Sequence, residues 1–187
     1  MSSHSLSMLL SFLLAAPAAA QTLSIASLSS SGQQGNGSTG AVCVSRDGRV
    51  VAFSSFASDL VPGDTNARED VFVRDLQTGT TTRVSVTSSG GQANYASKVG
   101  AISGDGRFVA CSSDADDLVV PDANGWFTDV YVHDRQTGQT TRVNVSSAGV
   151  QADTGYAGKV DLSADGRLVV FESNATNLAG TDANGST

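Results

Sequence analysis

Residues 45–55, SRDGRVVAFSS, carry the pattern that decides the fold of this chain. The pattern returns as SGDGRFVACSS at 103–113 and as SADGRLVVFES at 163–173, after 58 and then 60 residues. A second block keeps the same spacing, with DVFVRDLQTGTTTRVSV at 70–86 and DVYVHDRQTGQTTRVNV at 129–145. Self-similarity at a fixed period of this size is the signature of a repeat architecture.

Each repeat contains four short runs of β-forming residues, which in the first repeat lie at 41–45, 49–54, 70–76 and 82–87. Asp47-Gly48 separates the first two runs, where a two-residue hairpin turn needs positive φ. Gln77-Thr78-Gly79 separates the third and fourth runs in the same way. The sequence therefore predicts four antiparallel strands per repeat, which is the content of one propeller blade.

The second run of the first repeat is apolar on both faces, because Val50, Val51, Ala52 and Phe53 follow one another without a polar residue. A strand with one face in water would alternate between apolar and polar residues. Sheets must therefore cover this strand from both sides. Blades that stack face to face around an axis satisfy that requirement and leave the polar fourth run outermost.

Taken together, the S-x-D-G-R turn, the apolar strand after it, the D-V-F/Y-V strand and the Q-T-G turn resemble the TolB-type, WD-like β-propeller repeat. The resemblance implies an all-β fold, a β-propeller made of four-stranded antiparallel blades, and a role in protein interaction. We place the repeat units at about 41–98, 99–158 and 159–187, with the last unit truncated.

Residues 21–187 then form an incomplete propeller, an open arc of about three blades. Closed propellers typically have about four to eight blades. We therefore expect that further propeller blades of a longer chain, or association with another molecule, complete the arc.

The first twenty residues differ from the repeats. Residues 8–16 read MLLSFLLAA, and Ala18-Ala19-Ala20 supplies the small residues of a cleavage site. The apolar run is too short for a transmembrane helix, which needs about 20 residues. We interpret residues 1–20 as a signal peptide, which predicts a secreted or periplasmic protein.

Charge and composition exclude one class of partner. The chain has 11 basic and 18 acidic residues and a net charge of −7. Such a chain repels a phosphate backbone, and it lacks the clustered basic face that nucleic-acid binding uses. We expect no nucleic-acid partner.

The sequence offers no catalytic constellation. Its two histidines are His4, in the signal segment, and His133, whose counterpart in the first repeat is Arg74. Cys43 and Cys111 occupy non-equivalent repeat positions, which favours buried free thiols over a disulfide. We therefore predict a protein that is not an enzyme and has no catalytic residues.

Acidic and amide side chains recur in the long connection between the second and third strands, and their order suggests a hard cation such as Ca²⁺. The candidate metal ligands are Asp64, Asn66 and Asp70 in the first repeat and Asp122, Asn124 and Asp129 in the second. The pattern lacks the further acids of a full calcium loop. The alternative is that these side chains form local turns and cap the third strand. Apart from this possible calcium, no cofactor is expected.

Trp126 and Phe127 lie side by side in the same connection of the second repeat, where the loop is one residue longer. An exposed aromatic pair on a loop is a candidate contact for a sugar or a protein, whereas burial against a neighbouring blade is the structural alternative. Two functions remain open: a non-catalytic protein-interaction scaffold, and an extracellular carbohydrate- or calcium-associated binding module.

Overall fold

A computed structural model describes residues 24–155 and 157–179, so the predicted signal peptide lies outside the described residues. The described chain forms ten strands and no helix. The strands are β1 (Thr39–Val44), β2 (Val50–Ser55), β3 (Asp70–Asp75), β4 (Thr80–Arg83), β5 (Ser97–Ile102), β6 (Phe108–Ser113), β7 (Asp129–Asp134), β8 (Thr140–Arg142), β9 (Ala157–Leu162) and β10 (Val169–Ser173).

The strands form three antiparallel sheets, each in chain order: β1-β2-β3-β4, β5-β6-β7-β8 and β9-β10. The first two sheets have the same register, because Ser55 pairs with Asp70 in one and Ser113 with Asp129 in the other. The predicted four-stranded blades are therefore confirmed. The architecture is an incomplete all-β propeller, an open arc whose described part contains two full blades and two strands of a third.

Apolar clusters fill the spaces between the sheets. One cluster joins Val50, Ala52 and Val73 of the first blade to Val109 and Tyr131 of the second. A second cluster joins Ala110 and Val130 to Val160 in the third sheet. Every residue of β2 is buried, whereas most of β10 is exposed. Burial of the second strand on both faces is thus confirmed for the first blade.

The innermost strands lie next to one another around the axis. An added Cβ at Gly100 in β5 would lie 2.6 Å from Cβ of Val160 in β9, so only glycine allows this approach. The turns of successive blades also bond to each other, because Arg46 N donates to Gly104 O at 3.0 Å and Gly104 N donates to Ala164 O at 2.8 Å. These bonds fix the stagger between blades.

Two sequence predictions need correction. The first connection is a four-residue loop, because Ser45 N donates to Val50 O and closes the hairpin around residues 46–49. Gly48 has a φ of 71° and the Asp47 carboxylate accepts from Arg49 N, so the expected roles of both residues hold. The fourth strand is Thr80–Arg83 rather than 82–87. The chain leaves the sheet after Arg83 because Ser85 Oγ accepts from Val71 N and donates to Asp70.

A small hairpin precedes each sheet and was not predicted. Its bridges are Leu28 with Gln34, Val86 with Gln92, and Val145 with Gln151. We call these the connector hairpins. The first docks on the outer strand of the sheet that follows it, because Ser30 Oγ accepts from Thr81 N. The second docks in the same way, with Ser88 Oγ accepting from Thr140 N.

Candidate functional site

One end of the arc carries all the candidate site residues, and we call it the loop end. It comprises the long loops at 56–69 and 114–128 and the connectors at 84–96 and 143–155. Antiparallel pairing brings these four segments to the same end, whereas the short turns lie at the other end. Loops on a rigid scaffold are where propellers and other folds place their binding residues.

In the first blade, the carboxylates of Asp64 and Asp70 face the side chain of Arg83, which is 10% exposed. Arg83 Nη1 lies 3.2 Å from Asp70 and 3.7 Å from Asp64. Gln92 Nε2 donates to both carboxylates, at 3.0 Å to Asp64 and 2.9 Å to Asp70. Burial raises the pKa of Asp70, and hydrogen bonds from Ser85 and Gln92 together with Arg83 oppose that rise.

The second blade repeats the arrangement around Arg142. Its Nε lies 2.8 Å from Asp129 and its Nη2 lies 3.3 Å from Asp122. Asn144 Nδ2 donates to Asp129 at 2.6 Å. Burial raises the pKa of Asp122, and the positive charge of Arg142 opposes the rise. Each blade therefore contains a buried arginine held by two aspartates.

Asn66 and Asn124 join the same networks as donors, and the turn in each loop is formed by Asn66 Oδ1 in the first blade and by Asp122 Oδ1 in the second. Asn66 Nδ2 donates to Ala93 O at 2.9 Å, and its Oδ1 accepts from Arg68 N at 2.8 Å. Asn124 Nδ2 donates to Asp129 at 3.1 Å and to Ala152 O at 3.1 Å. These contacts match the structural alternative, in which the side chains form turns and cap the third strand.

The structure thus brings the predicted metal ligands of each blade together, but around an arginine. Within the described residues no group of three or more His, Cys, Asp or Glu side chains is arranged to hold a metal ion. A calcium ion at either site would have to displace a guanidinium that already neutralises the carboxylates. The calcium site stays a prediction.

His133 lies in β7 and supports a connector hairpin. Its Nδ1 lies 2.9 Å from Thr140 Oγ1, and that hydroxyl donates to Val86 O at 2.5 Å. Burial lowers the pKa of His133, which keeps the ring neutral. The counterpart Arg74 donates to Ser29 O at 2.7 Å. Both residues therefore hold the connector hairpin that precedes their sheet. The sequence analysis did not predict this role, although both repeats have a polar side chain at this position.

Cys43 and Cys111 are free thiols, the first half-buried and the second buried. Burial raises the pKa of each thiol to about 12. A thiol with so high a pKa is a poor nucleophile near neutral pH because the thiolate is the reactive form. Both side chains belong to the apolar cluster between the first two blades.

Trp126 is exposed at the loop end, with 70% of its surface accessible. Its ring meets the Tyr95 ring edge to face, with centroids 5.4 Å apart. The Arg68 guanidinium lies over the same Tyr95 ring, 4.3 Å from its centroid. The three side chains form a cluster that joins the loop of the first blade, the connector and the loop of the second blade.

Phe127, the residue after Trp126, lies in a cleft. The cleft has a volume of about 580 Å³ and is also lined by Asn124, Val150, Gln151 and Asn177. Gly155 admits the ring, because an added Cβ there would lie 1.9 Å from Phe127 Cβ. The structure therefore places both predicted aromatic residues on one accessible surface.

Exposed apolar side chains concentrate at this end. Among the described residues, six of the ten large exposed hydrophobic side chains belong to its loops and connectors. They are Phe56, Val120, Trp126, Phe127, Val145 and Val150. Four of these side chains, Phe56, Val120, Trp126 and Phe127, belong to the two long loops.

No protein-family model and no curated protein matches the chain. Solved structures with similar folds include TolB from Acinetobacter baumannii, at 19% identity and a TM-score of 0.44 over 77% of this chain and 28% of that one. A second is the putative TolB from Agrobacterium tumefaciens, at 20% identity and a TM-score of 0.46 over 72% of this chain and 37% of that one.

A third similar structure is the β-propeller domain of the Trilobed protease from Pyrococcus furiosus, at 12% identity and a TM-score of 0.45 over 72% of this chain and 34% of that one. The chain therefore spans between 28% and 37% of the length of these three proteins. The likeness concerns the fold. No helix in the described part of the chain is long and apolar enough to cross a membrane.

Proposed function

We propose that this chain is an exported, non-catalytic binding module that holds a protein partner against its loop end. The observation that carries the proposal is the exposure of Trp126 against the edge of the Tyr95 ring, which in turn lies against the Arg68 guanidinium. Tryptophan and tyrosine dominate the energetics of protein interfaces because they bury much surface with few rotatable bonds. An exposed tryptophan that packs on a neighbouring ring is a preorganised contact.

The non-catalytic part of the proposal rests on what the polar groups already do. His133 is bound to Thr140, the Cys111 thiol is buried, and the half-buried Cys43 packs against the same apolar cluster. Four loop-end carboxylates, those of Asp64, Asp70, Asp122 and Asp129, neutralise Arg83 and Arg142. A general base or nucleophile needs a free, accessible group within reach of substrate.

Export is supported by the apolar segment at 8–16 and the alanines before Gln21. Expression of the full chain followed by fractionation tests it. We expect a mature protein in the extracellular or periplasmic fraction whose N-terminus is Gln21. Recovery of the uncleaved chain in the cytoplasm would contradict export.

Trp126 provides a direct test of binding because the chain has only this tryptophan. Its fluorescence reports the loop end without a label, and a partner that covers the ring shifts the emission to shorter wavelength. A photo-crosslinking residue at position 126 should capture the partner. The same residue at position 76 is a control, since Leu76 is also exposed, at 36%, but follows β3 at the short-turn end.

The captured protein is then purified and its affinity is measured with the unmodified chain. We expect Trp126→Ser to weaken binding by about tenfold or more, as for a central interface residue. Leu76→Ser should leave the affinity unchanged. Equal crosslinking from both positions, or equal affinity of both variants, would contradict the proposal.

A carbohydrate ligand is the second candidate, favoured by the amide side chains around Phe127. Those amides are engaged internally, because Gln151 Nε2 donates to Pro121 O and Asn177 Nδ2 donates to Gln151 O. For that reason we place protein first. Titration with oligosaccharides, followed by Trp126 fluorescence, separates the two functions.

A further inference from the structure

The outer edge of β10 differs from the equivalent edges in the other two sheets. β2 pairs with β3 and β6 pairs with β7, each over six residues. Within the described residues β10 pairs only with β9. An open strand edge presents a row of backbone donors and acceptors to an incoming strand.

Arg167 stands at the start of this edge, in the position that Arg49 and Arg107 occupy in the other repeats. Arg49 pairs with Asp75 at the end of β3, at 2.8 Å, and Arg107 pairs with Asp134 at the end of β7, at 2.7 Å. Within the described part of the chain Arg167 forms no such ion pair. The register of the repeat therefore specifies a carboxylate opposite Arg167.

A cleft of about 450 Å³ runs beside the same edge. Val132, Thr141 and Val143 of the second blade form one wall, and Val169 forms part of the other. One blade earlier, the matching residues Val73 and Val84 are covered, and they share an apolar cluster with the fully buried Tyr131 of β7. The cleft thus has the size and lining to receive an aromatic ring from a third strand.

We propose that the β10 edge and this cleft bind an extended hairpin of the type that forms the third and fourth strands of this repeat. Its sequence class is D-V-F/Y-V-x-D, a Q-T-G turn, and T-T-R-V. The second aspartate pairs with Arg167 and the aromatic residue enters the cleft. This surface is separate from Trp126, so the inference does not depend on the proposed function.

A synthetic peptide with the sequence of residues 129–145, added to the full chain, tests the inference. Hydrogen exchange is read at the amides of Val169 and Phe171, which face the open edge, whereas the Val170 amide between them faces β9 and serves as an internal reference. We expect saturating peptide to slow exchange there by about tenfold or more, because the edge amides become hydrogen-bonded. A scrambled peptide of the same composition is the control and should have no effect.

Two peptide variants test the chemistry without changing the protein. Tyr131→Ala in the peptide should weaken binding by about tenfold or more, as for a buried aromatic anchor. Asp134→Asn in the peptide should weaken it by about threefold, the size expected of a partly exposed ion pair. With Arg167→Ala in the chain, that second difference should disappear.

If the free peptide binds too weakly to be detected, the same sequence can be fused to the C-terminus of the chain. Tethering raises the effective concentration of the peptide at the β10 edge. Adding the same sequence after Thr187 places its first aspartate at 188, which is 15 residues beyond Ser173, as Asp70 is 15 beyond Ser55. Slow exchange in β10 of the fusion supports the inference. No slowing in either format, or equal slowing by the scrambled sequence, overturns it.

Discussion

At the scale of single residues, Arg142 is the side chain that pairs with both aspartates of the second-blade network. Its side chain is 4% exposed and lies against Asp122 and Asp129. Arg142→Met leaves two carboxylates buried without their cation, which should lower the free energy of unfolding by about 3 kcal/mol or more. Urea denaturation measures this. Arg49→Met is the control, because that ion pair is 48% exposed on the arginine side and should contribute about 1 kcal/mol or less.

Asp75 provides a pH-dependent test at the same scale. The hydrogen bond from Arg49 lowers the pKa of Asp75 to about 2. A carboxyl whose pKa is lowered on folding stabilises the protein above its ordinary pKa, and that contribution is lost as the pH falls through about 2. Asp75→Asn should therefore flatten the loss of stability between about pH 4 and pH 2. Titration by NMR should show the Asp75 pKa rising in Arg49→Ala, and an ordinary pKa in the unmodified chain would contradict the assignment.

At the scale of elements, the turns that open the second strands are fixed both by backbone conformation and by contact between blades. Gly106 lies in the turn that precedes β6, whereas Gly138 lies in the turn between β7 and β8 and serves as a comparison. Their φ values are 73° and 78°. An added Cβ at Gly106 would lie 2.7 Å from Val50 of the preceding blade, whereas one at Gly138 would meet nothing within 4 Å. Gly138→Ala should cost about 1 kcal/mol from backbone strain. Gly106→Ala should cost about 2 kcal/mol more in thermal or urea unfolding, because it also overpacks the interface. Equal losses would show that the contact is unimportant.

The same turns explain why so much of the fold is readable from the sequence. Asp-Gly and Gln-Thr-Gly recur in register, and the runs between them have the length and residue types of strands. The connector hairpins were not predicted from the sequence because they are polar and short. Their sequences do recur at intervals of 58 and 59 residues, as LSSSGQQ at 28–34, VTSSGGQ at 86–92 and VSSAGVQ at 145–151. The fourth strand was placed too late because residues 84–86 have β propensity, which tertiary bonds from Ser85 override.

The candidate site was only partly readable for a different reason. Asp64 and Asp70 are close in sequence to each other but not to Arg83 or Gln92, so their shared contacts appear only in the folded chain. A pattern of acids and amides cannot distinguish a cation site from an arginine site without those distances. Trp126 drew attention as an irregularity in the repeat, but its contact with the Tyr95 ring, which lies in another segment, appears only in the folded chain.

At the scale of the whole molecule, stability should fall along the arc because each sheet depends on its neighbours. β2 and β6 are paired on both edges and largely buried, whereas β10 has one paired edge and Val170 is 69% exposed. Amides in β10 should therefore exchange fastest among these three strands, as measured by hydrogen exchange with mass spectrometry.

Side-chain deletions test the same gradient through packing. Val109 is fully buried between the first two blades, so Val109→Ala should lower the free energy of unfolding by about 2 kcal/mol. Val170→Ala removes the same two methyl groups from a side chain that water already contacts, and it should change stability by about 0.5 kcal/mol or less. If Val170→Ala is as destabilising as Val109→Ala, or if β10 exchanges as slowly as β6, the exposed face of the third sheet is covered in solution. Sedimentation at increasing concentration would then show whether a second copy of the chain provides that cover.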